Sequence, residues 1–255
     1  MGSHLILFQR STYIQLKIIV IFCHAGAVHA GPPLTINDPG ILDSGQWEII
    51  GAVTGSGTDN IDIYQAILDV SVGLTENTQL SAVYPYAWVD PTGDDSHTHF
   101  GNLAIGFKWR FYDGERLQLA FAPAYAFGIV LSAALRGIGN DTDILFLPVN
   151  FASSLGGDWT LNGEFGYVST QDDTDGFGYG IAIGYPVGAK TRMMFELYGG
   201  SDTDFEQDRL NFNVGLDHRI GSAWHLLGAA GAGLREPDSR DKLDFNVYLG
   251  VQYFR

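Results

Sequence analysis

Charged and amide side chains recur at alternate positions through stretches of this chain that are otherwise apolar. Asp69, Lys108, Arg110, Glu164, Glu196 and Asp217 are ionisable members of the set, and Glu48, Gln65, Gln118, Asn150, Asn211, Asn213 and Asn246 accompany them. Charges on the polar phase of such a stretch must be hydrated or paired. Gathered around one interior, they would form a selectivity network in which Lys108 and Arg110 oppose Asp69, Glu164 and Glu196. Alternatively they form a salt-bridge network that only satisfies the interior. Catalysis has less support. His97, His99, His218 and His225 are available, but no Ser stands in a recognisable nucleophile context beside them. Hydrolysis of lipid therefore ranks behind the readings below, and no catalytic residue is assigned. His97 and His99 supply two metal ligands, too few for a site. No loop has the spaced acidic pattern of a calcium loop. No metal and no cofactor is expected.

Strands must position these residues. In 241–255, Leu243, Phe245, Val247, Leu249, Val251 and Tyr253 share one phase, and Asp244, Asn246, Gly250 and Gln252 fall on the other. Period-2 alternation marks a strand with one apolar and one polar face. Twelve segments read this way: 45–54, 61–74, 78–89, 99–112, 116–129, 143–154, 159–170, 177–187, 191–200, 208–220, 224–235 and 242–254. Their connections alternate between tight turns and longer loops, and bulky aromatics stand near strand ends. No stretch after Cys23 approaches the ~18 apolar residues that a spanning helix needs. The expected fold is all-β: a closed antiparallel transmembrane β-barrel of about 12 strands. An even strand number places both termini on the periplasmic side.

Residues 1–30 read as a signal peptide. Arg10 and Lys17 precede or open an apolar core at 18–27, and Val28-His29-Ala30 ends it as a small-x-small site. Removing that segment takes away the only cysteine, Cys23, and with it any thiol chemistry. It also removes two cations and no acid, shifting the net charge from −15 to −17. Such an acidic chain is not built for nucleic acid. Residues 31–44 do not alternate and contain Pro32, Pro33 and Pro39. They read as a periplasmic tail or a plug, with contact to the barrel favoured because Leu34, Ile36, Ile41 and Leu42 would otherwise be exposed. Residues 45–255 form the barrel. The longer loops are acidic, at Asp94, Asp95, Asp202, Asp204, Glu206 and Asp241 for example. Either they form a cation-attracting rim bridged to lipopolysaccharide, or they keep exposed loops soluble.

Prolines break the pattern. Pro85, Pro123 and Pro148 fall inside strands, where proline cannot donate to the ladder. Pro123 and Pro148 are expected nearly opposite each other, marking either a lateral opening of the wall or a bulge that shapes it. The loop at 130–140, with Val130, Leu131, Ala133, Ala134, Leu135 and Ile138, is more apolar than exposure requires. It is expected to fold inward as a lid or to pack on the upper wall.

Several stretches resemble one family. Gly31-Pro32-Pro33-Leu34-Thr35, then Asn37-Asp38-Pro39-Gly40 and Gly45-Gln46-Trp47-Glu48-Ile49, are similar to the mature start of the outer-membrane transporters grouped with the phenol meta-pathway. Gly101-Asn102-Leu103-Ala104-Ile105-Gly106-Phe107-Lys108-Trp109-Arg110-Phe111 resembles that family's central motif, and Phe195-Glu196-Leu197-Tyr198-Gly199 a later strand. The matches spread over most of the chain that follows the signal. One departure is Arg255 after Tyr253-Phe254, where many outer-membrane chains end on an aromatic. The resemblance implies a barrel in the bacterial outer membrane that passes small, often hydrophobic compounds.

Together these readings give a passive outer-membrane channel for small, hydrophobic or aromatic molecules. Its expected partners are the solute, outer-membrane lipid, lipopolysaccharide and the barrel-assembly machinery. The alternative is a structural or adhesive barrel with acidic outer loops.

Overall fold

The computed structural model describes residues 32–129, 134, 138–171, 174–237 and 241–255. The expected signal at 1–30 lies outside the described residues. Strand segments follow in chain order: β1 (Trp47–Gly57), β2 (Ile61–Thr75), β3 (Thr78–Pro91), β4 (His97–Phe100), β5 (Ala104–Asp113), β6 (Leu117–Phe121), β7 (Ala124–Ala126), β8 (Ile144–Gly156), β9 (Trp159–Thr170), β10 (Gly176–Pro186), β11 (Thr191–Asp202), β12 (Arg209–Arg219), β13 (Trp224–Arg235) and β14 (Phe245–Phe254). All pairings are antiparallel, and β14 closes the ring on β1 from Glu48↔Phe254 to Gly57↔Phe245.

The barrel has twelve staves, because two are interrupted. β4 and β5 both pair with β3 and form one stave; β6 and β7 both lie between β5 and β8 and form another. Sequence reading expects unbroken strands at 99–112 and 116–129. The first breaks at a one-residue slip: Tyr86 faces Phe100, yet Val83 faces Ala104, so an extra residue bulges out around Gly101 and Asn102. The second breaks at Ala122 and Pro123, where the register continues on both sides.

Alternation explains why these segments close on themselves. In β3, Gln79, Ser81, Val83, Ala87 and Val89 are buried, whereas Leu80, Tyr84, Tyr86 and Trp88 are exposed. A soluble sandwich would bury the bulky phase. Here it forms a continuous exterior belt of large apolar side chains, the reverse of a water-facing surface. Aromatic rings gather at both ends of the belt. Trp159 packs on Tyr185 and Trp224 on Tyr253 at the rim that carries the short turns; Phe177 stacks on Phe205 at the other. The barrel's first and last residues meet at the short-turn rim, where Trp47 N donates to Arg255 O at 2.8 Å and Arg255 N returns a bond at 2.9 Å. This end is called the terminal rim below, and the opposite one the loop rim.

Residues 32–42 do not trail away from the barrel. Pro32, Pro33, Leu34, Ile36, Asn37, Asp38, Pro39, Gly40, Ile41 and Leu42 are all buried inside it. The chain leaves the lumen at the terminal rim, where Gly45 N donates to Gly73 O and Gly73 N to Gln46 O. A side chain at Gly73 would strike the Asp43 carbonyl oxygen at 2.2 Å, so this close backbone crossing requires glycine.

Candidate functional site

The lumen is the site, and the leader at 32–44 is its main occupant. Glu196 on β11 accepts from Thr35 N at 2.8 Å, Ile36 N at 2.7 Å and Asn213 Nδ2 at 2.6 Å. Glu164 on β9 accepts from Asn37 N at 3.2 Å, Asn37 Nδ2 at 3.1 Å and Asn150 Nδ2 at 2.7 Å. Across the lumen, Gln79 on β3 accepts from Leu42 N at 3.0 Å. A buried irregular segment carries backbone donors that no ladder satisfies, and these wall side chains satisfy them. Apolar contacts complete the fit: Leu34 and Ile36 pack on Ala182 and Met194. Inward glycines make room, since a Cβ at Gly180 would meet Ile36 at 2.4 Å and one at Gly215 would meet Leu34 at 2.8 Å.

The structure separates the expected network into parts. Lys108 is inward and only 2% exposed, but its Nζ bonds Gly40 O at 3.2 Å and pairs with Asp38 Oδ1 at 3.7 Å. Its direct acidic partner therefore comes from the leader, not from Asp69, Glu164 or Glu196. Arg110 also departs from expectation. Its guanidinium turns to the Glu76 carbonyl and to Asp113 at 3.0 Å, at the terminal rim. Asp217 pairs with His225 at 2.7 Å. Asp69 lies buried on the inward face of β2. Sequence reading did not single out Asn37, Asp38 or Gln79 as site residues. Adjacent Asn37 and Asp38 among the apolar residues of the leader were the available signal.

Above the leader, toward the loop rim, the lumen becomes mostly apolar, with Thr54, Ser56, Gln65 and Asn213 as polar members of its lining. A cavity of about 100 Å³ is bounded by Leu34 below, Ile63, Ile67 and Val83 on the wall, and Tyr198 and Tyr248. Asn246 Nδ2 donates to Tyr198 Oη at 3.0 Å, bridging β14 and β11 beside this chamber. Val83 continues into an apolar cluster with Ala104, Ala124, Ala126, Ile144 and Phe146. Gly139, in the connection between β7 and β8, borders the chamber. Residues 130–133 and 135–137 lie outside the described residues, but Ile138 is buried against Ile63, Ala87 and Val89. Asn102, the bulge residue, ties this loop down: its side chain bonds Phe127 O at 2.7 Å, Asn140 O at 2.9 Å and Asn140 N at 2.8 Å.

Pro85, Pro123 and Pro148 lie along three successive ladders beside that apolar cluster. Gly101 N donates to Pro85 O, Phe107 N to Pro123 O and Ala122 N to Pro148 O. In each pair the reciprocal bond is missing, because proline has no N–H. Phe121 faces Val149 and Ala124 faces Phe146, so Ala122 lies across from Pro148 and Pro123 across from Leu147. The wall is continuous here, yet each of three adjacent ladders lacks one donor.

At the loop rim, outward tyrosines meet acids across hairpins: Tyr125 bonds Asp143, Tyr167 bonds Asp175 and Tyr179 bonds Asp208. The Gly128 backbone N–H, and then the Tyr125 hydroxyl, hold the Asp143 carboxyl below the usual carboxylate range. The Tyr167 hydroxyl, and then the Thr170 N–H, do the same for Asp175. The histidines have other partners: His99 bonds Phe100 O, His218 bonds Thr191 and His225 bonds Asp217, and none is bonded to a serine among the described residues. No cluster of three or more His, Cys, Asp or Glu placed to hold a metal occurs among the described residues.

No protein-family model and no curated relative matches this chain. Solved structures match it in fold. The COG4313 outer membrane channel from Pseudomonas putida F1 has a TM-score of 0.76 at 15% identity, covering 86% of this chain and 99% of its own. The translocator domain of the autotransporter NalP from Neisseria meningitidis gives 0.58 at 13% identity, covering 84% and 90%. KdgM porin gives 0.56 at 12% identity, covering 80% and 98%. At these identities the likeness shows the fold: a closed antiparallel barrel of the outer-membrane type.

Proposed function

We propose that this chain is a bacterial outer-membrane channel for small apolar or aromatic molecules, as its resemblance to the phenol meta-pathway transporters implies. In this reading residues 1–30 direct export, the terminal rim faces the periplasm and the loop rim faces outward toward lipopolysaccharide. The observation that carries the proposal is the division of the lumen. An apolar chamber toward the loop rim stands on a polar belt filled by the leader. A hydrated solute gains nothing from that chamber and meets a filled floor. An apolar solute gains burial at roughly 25 cal/mol per Å² of surface removed from water.

The floor also bears on the exit. With the leader docked, the straight path is closed, and the wall beside the chamber is the part whose ladders lack proline donors. A solute leaving there would enter the hydrocarbon of the bilayer directly, with no polar pore to cross. The chamber is tested by filling it. Ala229→Trp, at its wall, is expected to lower toluene uptake into proteoliposomes to that of protein-free vesicles while the barrel still migrates as folded on a heat-modifiability gel. Unchanged uptake would sink the chamber as the route.

The filled lumen also favours a second reading, a structural barrel with acidic outer loops. Toluene uptake that exceeds that of protein-free vesicles and disappears in the Ala229→Trp variant separates the two.

A further inference from the structure

Five carboxylates are buried inside the barrel among the described residues, Asp38, Glu48, Asp69, Glu164 and Glu196, against one buried ammonium, Lys108. Four of the five have visible partners. Glu164 and Glu196 are each ringed by donors, Asp38 sits against Lys108, and Glu48 accepts from Gln252 Nε2. Asp69 differs. It is 2% exposed, and neither of its carboxylate oxygens meets a hydrogen-bond donor. Lys108 is within electrostatic reach but directs its Nζ to the leader.

A second observation comes from a neutral group beside it. The Ser71 hydroxyl is 1% exposed and also without a partner. The register places these groups together: Glu48 faces Ser71 across β1 and β2, Ile50 faces Asp69, and Ser71 faces Ser81 across β2 and β3. Glu48, Asp69, Ser71 and Ser81 therefore share one inward patch over three neighbouring strands, near the terminal rim and beside the leader's way out. These four side chains offer oxygen ligands, two of them carboxylates, with the Gln252 amide on Glu48 and the Lys108 ammonium at the border of the patch. That chemistry fits a hard divalent cation, which takes several oxygen ligands from carboxylates, hydroxyls and water.

We propose that Asp69, Glu48 and Ser71 bind a Ca²⁺-class divalent cation in the lumen wall. Bound there, the ion offsets the buried negative charge and stiffens the β1–β2–β3 wall against which the leader exits. The site is distinct from the acidic loop rim, and it does not depend on which solute the channel carries.

The test is isothermal titration of chelator-stripped, full-length barrel in detergent with CaCl₂. Wild type is expected to show one saturable site. Asp69→Asn should weaken it by at least about tenfold, as loss of a ligand does, and Ser71→Ala by a smaller factor. Asp204→Asn, in an exposed loop, should leave it unchanged. Ser71→Ala removes only a hydroxyl and so keeps the test usable if Asp69→Asn misfolds on the heat-modifiability gel. Absence of stoichiometric binding to wild type overturns the proposal. So does wild-type affinity in both the Asp69→Asn and Ser71→Ala proteins, which would place the ion on the loops. A Ca²⁺ effect that disappears in Asp204→Asn would overturn it in the same way.

Discussion

Replacing Glu196 by Ala should release the leader from the lumen. Its carboxylate receives two backbone donors from the leader, Thr35 N and Ile36 N, and one amide from Asn213. After truncation both backbone N–H groups remain buried with no acceptor. Each such group costs about 1–3 kcal/mol, so docking of the leader weakens by roughly 2–6 kcal/mol. At 1.4 kcal/mol per factor of ten, the undocked population rises from about 30-fold to about 10⁴-fold. Water entering the space left by the side chain moves the result toward the lower figure. A cysteine substituted for the buried Ile41 reports that population through its rate of maleimide labelling. Planar-bilayer conductance reports the same event independently, because an undocked leader leaves the floor of the lumen open. Glu196→Gln keeps an acceptor for Thr35 and Ile36 and should fall between wild type and Glu196→Ala. If Glu196→Ala labels at Ile41→Cys and conducts as the wild-type background does, the leader is not held by these bonds and the reasoning fails.

Three further outcomes follow from particular contacts. Phe121 and Val149 face each other across the β6–β8 ladder, so a disulfide between Phe121→Cys and Val149→Cys should lower aromatic uptake when oxidised and restore it when reduced; equal uptake in both states removes the side exit. Phe107 is exposed on the exterior belt, and Phe107→Arg should cost about 2–4 kcal/mol in folding into bilayers if it sits near mid-membrane, measured by denaturant titration; a neutral effect would reverse the inside–outside assignment. The Asp143 carboxyl is held below its ordinary value of 3.8, so its bonds to Gly128 and Tyr125 contribute fully above that value and are lost as pH falls through the lowered one. Protection of the Gly128 amide from hydrogen exchange, compared between wild type and Asp143→Asn, should therefore diverge above pH 3.8 and converge in stronger acid; protection that is equal at neutral pH contradicts a role for the Asp143 bonds in holding Gly128.

Much of the barrel was legible because lipid imposes a strict rule on alternate residues. Leu103, Ile105, Phe107, Trp109 and Phe111 against Ala104, Gly106, Lys108 and Arg110 leave one arrangement that keeps charge out of hydrocarbon. The interruptions were less legible. Pro123 announces a missing donor, but the slip at Gly101 and Asn102 accompanies Asn102's bonds to Phe127 and Asn140, contacts that no local pattern shows. The site was legible only in outline. Alternation puts Lys108, Glu164 and Glu196 inside, but it does not say what they meet. Their partners lie on the leader, 161 residues from Glu196 and 68 from Lys108, and no local pattern specifies contacts at that separation. Gly180 and Gly215 accommodate Ile36 and Leu34, a fit visible only with the leader in place.

The central claim is an apolar chamber that accepts small apolar solutes above a filled, polar floor. The most direct measurement compares two fluxes in one preparation of wild-type proteoliposomes: transfer of radiolabelled toluene, and release of a trapped small sugar of similar size. Toluene transfer is expected above that of protein-free vesicles, saturating with concentration, together with sugar release indistinguishable from them. Sugar release that matches or exceeds toluene transfer, or toluene transfer no faster than in protein-free vesicles, would contradict it.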